Sequence, residues 1–296
     1  MSKKVIIDTD PGLDDAVAIL YALNCGKFDV LGLTTVAGNI GLEKTTRNAG
    51  GLLAAMGCRD IPVVAGAAKA MLRENIDAIV IHGDDGLRGV TLPSAIERAQ
   101  DNAAAWLASQ LMAHDAGEVD VFALGPLTNI AQLINEYPDA AERIGHLIIM
   151  GGTIDEPGNA GPGSEFNFAS DPEATAIVLR SKIHATVIPL DVTRRVRADV
   201  QFFQSLRGST AGDIAADMIS AYMVDGKTSR PLHDPCVMLY DVAPEHFGVE
   251  LFHLSVDLSD GADAGALKKR DNGAAVAVAM RVDVPAVLQV LKDGLS

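Results

Sequence analysis

Val5-Ile6-Ile7-Asp8-Thr9-Asp10-Pro11-Gly12-Leu13-Asp14-Asp15 opens the chain with a β-branched run that stops in four aspartates within eight positions. The run reads as a buried strand, and Pro11 and Gly12 mark the turn that ends it. The apolar stretch Ala16–Leu23 then reads as a helix. Asp8 and Asp10 sit two apart and leave the strand on one face. Asp14 and Asp15 fall in the first helical turn, where the helix dipole favours negative charge. Clustered carboxylates repel one another unless something positive lies between them, and a hard cation with oxygen ligands is the simplest remedy. One such aspartate could merely cap the helix. Four at the C-terminal end of a central strand point to a site, because ligands of open α/β sheets bind there.

The same strand-then-helix pattern continues outward. Apolar strand-like runs recur at 5–8, 30–36, 61–65, 119–124, 146–150 and 185–190. Helical patterns fill most of the gaps: 42–57 closed by Gly57, 101–116 with Asp101 as the expected N-cap, and 127–136 ended by Pro138. Asp171-Pro172-Glu173 starts another, with proline at the first helical position. Residues 67–100 are less regular and read as a mobile excursion near the strand ends. After 245 come short strands (251–258, 274–282) and a final helix at 284–293. This alternation predicts an α/β fold, doubly wound, with a mostly parallel sheet and helices on both faces, in a single domain spanning 1–296.

Composition sets the outer bounds. The 296 residues are 48% hydrophobic, ample for a large core, and the net charge is −15. That charge argues against nucleic acid and against anionic membrane surfaces. No glycine-rich phosphate cradle occurs, so a nucleotide ligand is disfavoured. Cys25, Cys58 and Cys236 are widely spaced and form no CxxC, which reads as three buried free thiols. Met1-Ser2-Lys3-Lys4 leads straight into the first strand, and no apolar run has transmembrane length. A cytoplasmic setting is the expectation.

Further polar residues collect at strand ends. Gly38-Asn39 closes the second strand, Leu124-Gly125-Pro126-Leu127-Thr128-Asn129 the fourth, and Met150-Gly151-Gly152 the fifth. Gly158-Asn159, Glu165-Phe166-Asn167 and Leu232-His233-Asp234-Pro235 follow. Any one of these is an ordinary turn residue. Many at successive ends of one sheet share one rim.

Taken with Asp8–Ala16, this set resembles the inosine–uridine-type nucleoside hydrolase family, over nearly the whole chain and in the same order. The resemblance implies a Ca²⁺-dependent enzyme that hydrolyses the N-glycosidic bond of ribonucleosides, and a homodimer or homotetramer. It implies Asp10, Asp15, Asp234 and the backbone carbonyl of Leu124 as Ca²⁺ ligands. Many family members carry Thr at position 124, a mild departure because a carbonyl ligand does not depend on the side chain. Asp14, Asn39, Met150, Asn159, Glu165 and Asn167 would line the ribose pocket, and Asp8 would support the strand end. Asp10 would take the proton of the attacking water, and His233 would protonate the leaving base. An acidic pocket suits the positive charge that builds on ribose during N-glycoside cleavage.

His82 matches a family position that faces the base. Tyr222 is expected either in core packing or against the base. Purine-specific members stack the base between tryptophans, whereas the single tryptophan here, Trp106, lies in a helix whose pattern faces the core. The chain therefore resembles the group that accepts inosine and uridine or prefers pyrimidines. Two other readings compete. Asp8-Thr9-Asp10 resembles the opening motif of haloacid-dehalogenase-type phosphotransferases, but no later lysine falls at a strand end. A non-catalytic Ca²⁺- or ribose-binding protein would keep the aspartates and lose the acid, against which His233 and Asn39 argue.

Overall fold

The first strand, β1 (Lys3–Thr9), lies in the interior of a ten-stranded sheet, and its burial explains its composition. Val5 and Ile7 point into one hydrophobic layer and Ile6 into the other. A strand covered on both faces must be apolar throughout, not alternating. The computed structural model describes residues 2–223 and 226–296; Met1, the start of the short lead into β1, lies outside them.

The remaining strands are β2 (Phe28–Thr35), β3 (Val63–Ala65), β4 (Gln100–Asp101), β5 (Val119–Ala123), β6 (Leu147–Met150), β7 (Ala185–Ile188), β8 (Arg197–Asp199), β9 (Ser229–Pro231), β10 (Phe247–Val256), β11 (Leu267–Lys269) and β12 (Ala274–Val282). The sheet order is β11-β10-β12-β7-β6-β5-β1-β2-β3-β4, and β8 pairs with β9 in a separate ribbon. From β12 to β4 all neighbours are parallel, while β10 pairs antiparallel with β11 and β12. The expected mostly parallel, doubly wound sheet is therefore present. From β1 the chain winds to β2 and β3 on one side and later to β5, β6 and β7 on the other. The reversal lies between β1 and β5, and ligands of such sheets bind outside the carboxyl ends of the strands at that point.

Helix Leu13–Asn24 follows the aspartate turn and is buried nearly all round, against helices Thr210–Tyr222 and Pro235–Val242. Its first turn is locked by Asp15, which accepts hydrogen bonds from the Gly12 amide at 3.0 Å and the Thr9 hydroxyl at 2.6 Å. On the other face, helices Ala103–Ala113, Thr128–Glu136 and Pro172–Arg180 cover the sheet. Trp106 belongs to that layer, as its pattern predicted.

Some boundaries differ from expectation. Asp101 belongs to the edge strand β4, and Asn102 caps the following helix by accepting from the Ala105 amide at 3.0 Å. Pro138 does not simply end a helix but starts another short one, Pro138–Ala141. Helix Thr210–Tyr222, capped by Ser209, was not among the helical patterns read from sequence. Of the three free cysteines only Cys236 is buried, while Cys25 and Cys58 are half-buried at helix ends. Among the described residues no helix is long and apolar enough to cross a membrane.

Candidate active site

The carboxyl ends of β1, β2, β5 and β6 converge at one cavity of about 340 Å³. Eleven of the thirteen residues singled out from sequence line it: Asp14, Asn39, His82, Leu124, Met150, Asn159, Glu165, Asn167, Tyr222, His233 and Asp234. The other two, Asp10 and Asp15, are buried behind them. The lining also includes Phe166, from the Glu165–Asn167 motif, and Asp77, Val80 and Arg230, which no motif had marked.

The carboxylates of Asp14, Asp15 and Asp234 meet at the floor, with one oxygen of each within 4.8 Å of the others. No Lys or Arg of the described residues forms an ion pair with any of them. Burial, then mutual repulsion, raises the proton affinity of Asp14, pushed up to about 7, and of Asp234. Asp15 is raised by burial against the pull of its donors Thr9 and Gly12. An all-oxygen, buried, uncompensated donor set fits a hard divalent cation.

Asp10 lies beside that trio, and burial, then the charges of Asp15 and Asp14, raise its proton affinity as well. Its Oδ2 accepts from the Asn39 amide at 2.6 Å. Its Oδ1 faces Gly125, where a Cβ would lie 2.5 Å away; at Gly38 a Cβ would lie 2.1 Å from Oδ2. Glycine at both strand ends is what lets this carboxylate in. Asp8 lies deeper in β1. Its Oδ1 accepts from the Thr34 hydroxyl at 2.5 Å and from Asn129 Nδ2 at 2.7 Å, so it ties β1 to its neighbours.

The asparagines are oriented by their donors. Asn39 Nδ2 donates to the Asp10 carbonyl at 3.2 Å and to Asp15 Oδ2 at 3.0 Å. Asn167 Nδ2 donates to the carbonyls of Leu124 at 2.7 Å and Met150 at 3.1 Å. Asn159 Oδ1 accepts from the Phe166 amide at 2.8 Å. Glu165 lines the cavity but also caps helix Phe166–Ser170, accepting from the amides of Asn167, Phe168 and Gly152 at 2.9, 3.2 and 3.0 Å. Burial pushes its carboxyl up to about 7.

Two histidines form the upper wall. His82 Nδ1 accepts from the Leu13 amide at 3.1 Å, so Nε2 carries the ring proton of the neutral form. Burial pushes His82 down to about 3. Its ring stacks on Tyr222 with centroids 5.9 Å apart, and Arg230 Cζ lies 5.1 Å from the Tyr222 centroid. His233 Nδ1 lies 2.7 Å from the Thr193 hydroxyl, and burial pushes the ring down to about 4. Thr193 lies just beyond the strand-like run at 185–190, in helix Leu190–Thr193. The two expectations for Tyr222 are compatible, since the ring is buried at 6% exposure and still lines the cavity.

Comparison with known proteins agrees with this layout. The family model described as inosine-uridine preferring nucleoside hydrolase matches residues 5–289. The pyrimidine-specific ribonucleoside hydrolase RihA of Salmonella enteritidis PT4 is 37% identical over 256 residues, 83% of this chain and 82% of that protein. A plant nucleoside hydrolase structure (the PpNRh1 enzyme) matches with TM-score 0.90 and 32% identity, covering 100% of this chain and 99% of the other. The purine-preferring ribonucleoside hydrolase from Gardnerella vaginalis matches with TM-score 0.90 and 29% identity, covering 99% and 98%. A sheet rim that gathers its acids from β1 and from residue 234, matched along 5–289, leaves one assignment: the chain belongs to the inosine–uridine preferring nucleoside hydrolase family and is a hydrolase of N-glycosidic bonds.

Proposed function

We propose that this protein is a Ca²⁺-dependent ribonucleoside hydrolase of the inosine–uridine or pyrimidine type, releasing free base and ribose. The carrying observation is the buried trio Asp14, Asp15 and Asp234 at the floor of a cavity walled by sugar-sized polar groups. Asp15 and Asp234 would hold the ion, completed by Asp10 and the Leu124 carbonyl. That carbonyl accepts one hydrogen bond from Asn167 and has a second lone pair to offer. When bound, Ca²⁺ would supply Lewis-acid charge that anchors the sugar diol and lowers the pKa of a water.

The chain's own groups do the rest. Asp14, between floor and cavity, accepts a ribose hydroxyl. Asn39 and Asn167 spend their amide hydrogens on the protein, which leaves each Oδ1 to accept another. The acidic wall stabilises the oxocarbenium-like charge on ribose. Asp10 takes the proton of the attacking water at Oδ1, since Oδ2 is held by Asn39. His233 hands a proton to the departing base, its ring fixed by Thr193 at Nδ1. The pyrimidine-specific name of the Salmonella relative supports a pyrimidine nucleoside as substrate. So does Trp106, buried in the core layer and not among the cavity-lining residues. Unpaired cysteines suit the proposed cytoplasmic setting, and a homodimer or homotetramer is proposed from the family resemblance.

The test is a nucleoside panel assayed for reducing sugar, with and without a chelator. Ribose release from uridine or inosine that stops on chelation and returns with Ca²⁺ is expected. Activity indifferent to chelation would remove the metal from the proposal, and no release from any nucleoside would remove the activity.

A further inference from the structure

Among the described residues, Arg230 is the only Arg or Lys on the wall of a cavity floored by carboxylates. Its backbone is fixed in the β8–β9 ribbon, opposite Ala198. Its side chain is fixed too. Nε donates to the Tyr222 carbonyl at 2.7 Å, and the guanidinium lies on the Tyr222 ring, which stacks on His82. With Nε used, four Nη hydrogens remain, and no carboxylate of the described residues pairs with them. Asp77 shares the cavity rim without forming an ion pair to it. A guanidinium held on an aromatic platform, facing a cavity and unpaired among the described residues, is a receptor for negative charge.

N-glycoside cleavage creates such a charge. The C1′–N bond breaks with its electron pair staying on the base nitrogen, while water oxygen bonds to C1′ and gives its proton to Asp10. As the bond breaks, an oxo-base gathers anionic charge spread over its ring nitrogens and carbonyl oxygens, until His233 hands it the proton that makes it neutral. We infer that Arg230 binds the departing base and stabilises it as an anion, which selects nucleosides of oxo-bases over those of amino-bases. This rests on the nucleoside hydrolase reading above. An amino-base turns N–H donors toward a group that can only donate, and its anion places less charge on oxygen. Arg230 thereby complements His233: one carries charge, the other a proton.

The experiment compares parent, Arg230→Gln and Arg230→Lys on uridine and 5-fluorouridine, whose base is the more stable anion. Arg230→Gln is expected to lower kcat/KM on uridine on the order of 10²-fold, the scale of losing one preorganised charge-stabilising donor. The loss on 5-fluorouridine should be about tenfold smaller, so the 5-fluorouridine/uridine ratio rises about tenfold. Arg230→Lys should keep the parent ratio. Each ratio is internal to one preparation, so partial misfolding cannot mimic it. A parent that cleaves uridine, with a ratio unchanged in Arg230→Gln, overturns the role of Arg230 alone. A parent that cleaves neither substrate overturns both this inference and the reading beneath it.

Discussion

Stripping divalent ions from the protein should expose the electrostatic strain of the cavity floor. Two ionised carboxylates at 4.8 Å, the outer limit for Asp14, Asp15 and Asp234, repel by about 3.5 kcal/mol at an effective dielectric of about 20. Three such pairs would cost about 10 kcal/mol, so the ion-free protein holds protons instead. The Asp14 carboxyl, pushed up to about 7, is half protonated at neutral pH. The sign follows: a raised acid favours the folded state below its unfolded value near 3.8 and loses that contribution as pH climbs through about 7. Ion-free protein should thus lose stability between about pH 4 and 7, and Ca²⁺ should flatten that slope. At about 100 times its Kd, Ca²⁺ should add about 2.7 kcal/mol, or about 5 °C in Tm for a chain of this size. Its binding at pH 7 should release protons, because each of these carboxyls has a raised proton affinity without it. Asp234→Asn removes two of the three repelling pairs, so its ion-free form should melt above the ion-free parent and ignore Ca²⁺. Scanning calorimetry after chelation, and titration calorimetry in two buffers of different ionisation enthalpy, read these quantities. A parent whose Tm and proton count do not respond to Ca²⁺ would refute the reasoning.

Three other outcomes are expected. His233→Ala should slow uridine by about 10²-fold or more and p-nitrophenyl riboside, whose leaving group needs no proton, far less; equal losses would remove the proton-donor role. Gly125→Ala places a Cβ 2.5 Å from Asp10 Oδ1 and should cost on the order of 10²-fold in activity by misplacing that carboxylate, with Tm nearly unchanged; full activity would mean Asp10 does not need its position. His146, far from the site, stacks on His184 at 4.2 Å, bonds Thr186, and faces Tyr240, Asp241 and Lys3. Burial, then His184, pushes it down to about 4. A lowered histidine stabilises the fold above its unfolded value near 6.5 and loses that contribution as pH falls toward 4. His146→Gln should therefore narrow the gap in urea midpoint between pH 7 and pH 4.5, by about 1–2 kcal/mol after allowing for the ring's exposure. Unfolding curves for parent and variant that shift equally with pH would contradict this.

The sequence alone determined the winding of the sheet and where its rim would lie. β-branched runs and capped helical stretches alternate with a local period, and local periodicity is a one-dimensional signal. Strands of a parallel sheet all present their carboxyl ends to one side, so residues at those ends share a rim; that His82, Tyr222 and Asp234 join them was implied by the family resemblance. Only the tertiary structure decided which neighbours hold each of those residues. Asp14, expected toward the sugar, has a carboxylate oxygen close to those of Asp15 and Asp234, while Asp10 is held by the Asn39 amide between Gly38 and Gly125. Glu165 caps a helix as well as lining the cavity. Arg230, a lone arginine with no spacing to mark it, is the one Arg or Lys lining the cavity among the described residues, held there by the ring and carbonyl of Tyr222. Such arrangements depend on side-chain rotamers and on neighbours from distant strands and helices, which packing sets and no local pattern encodes.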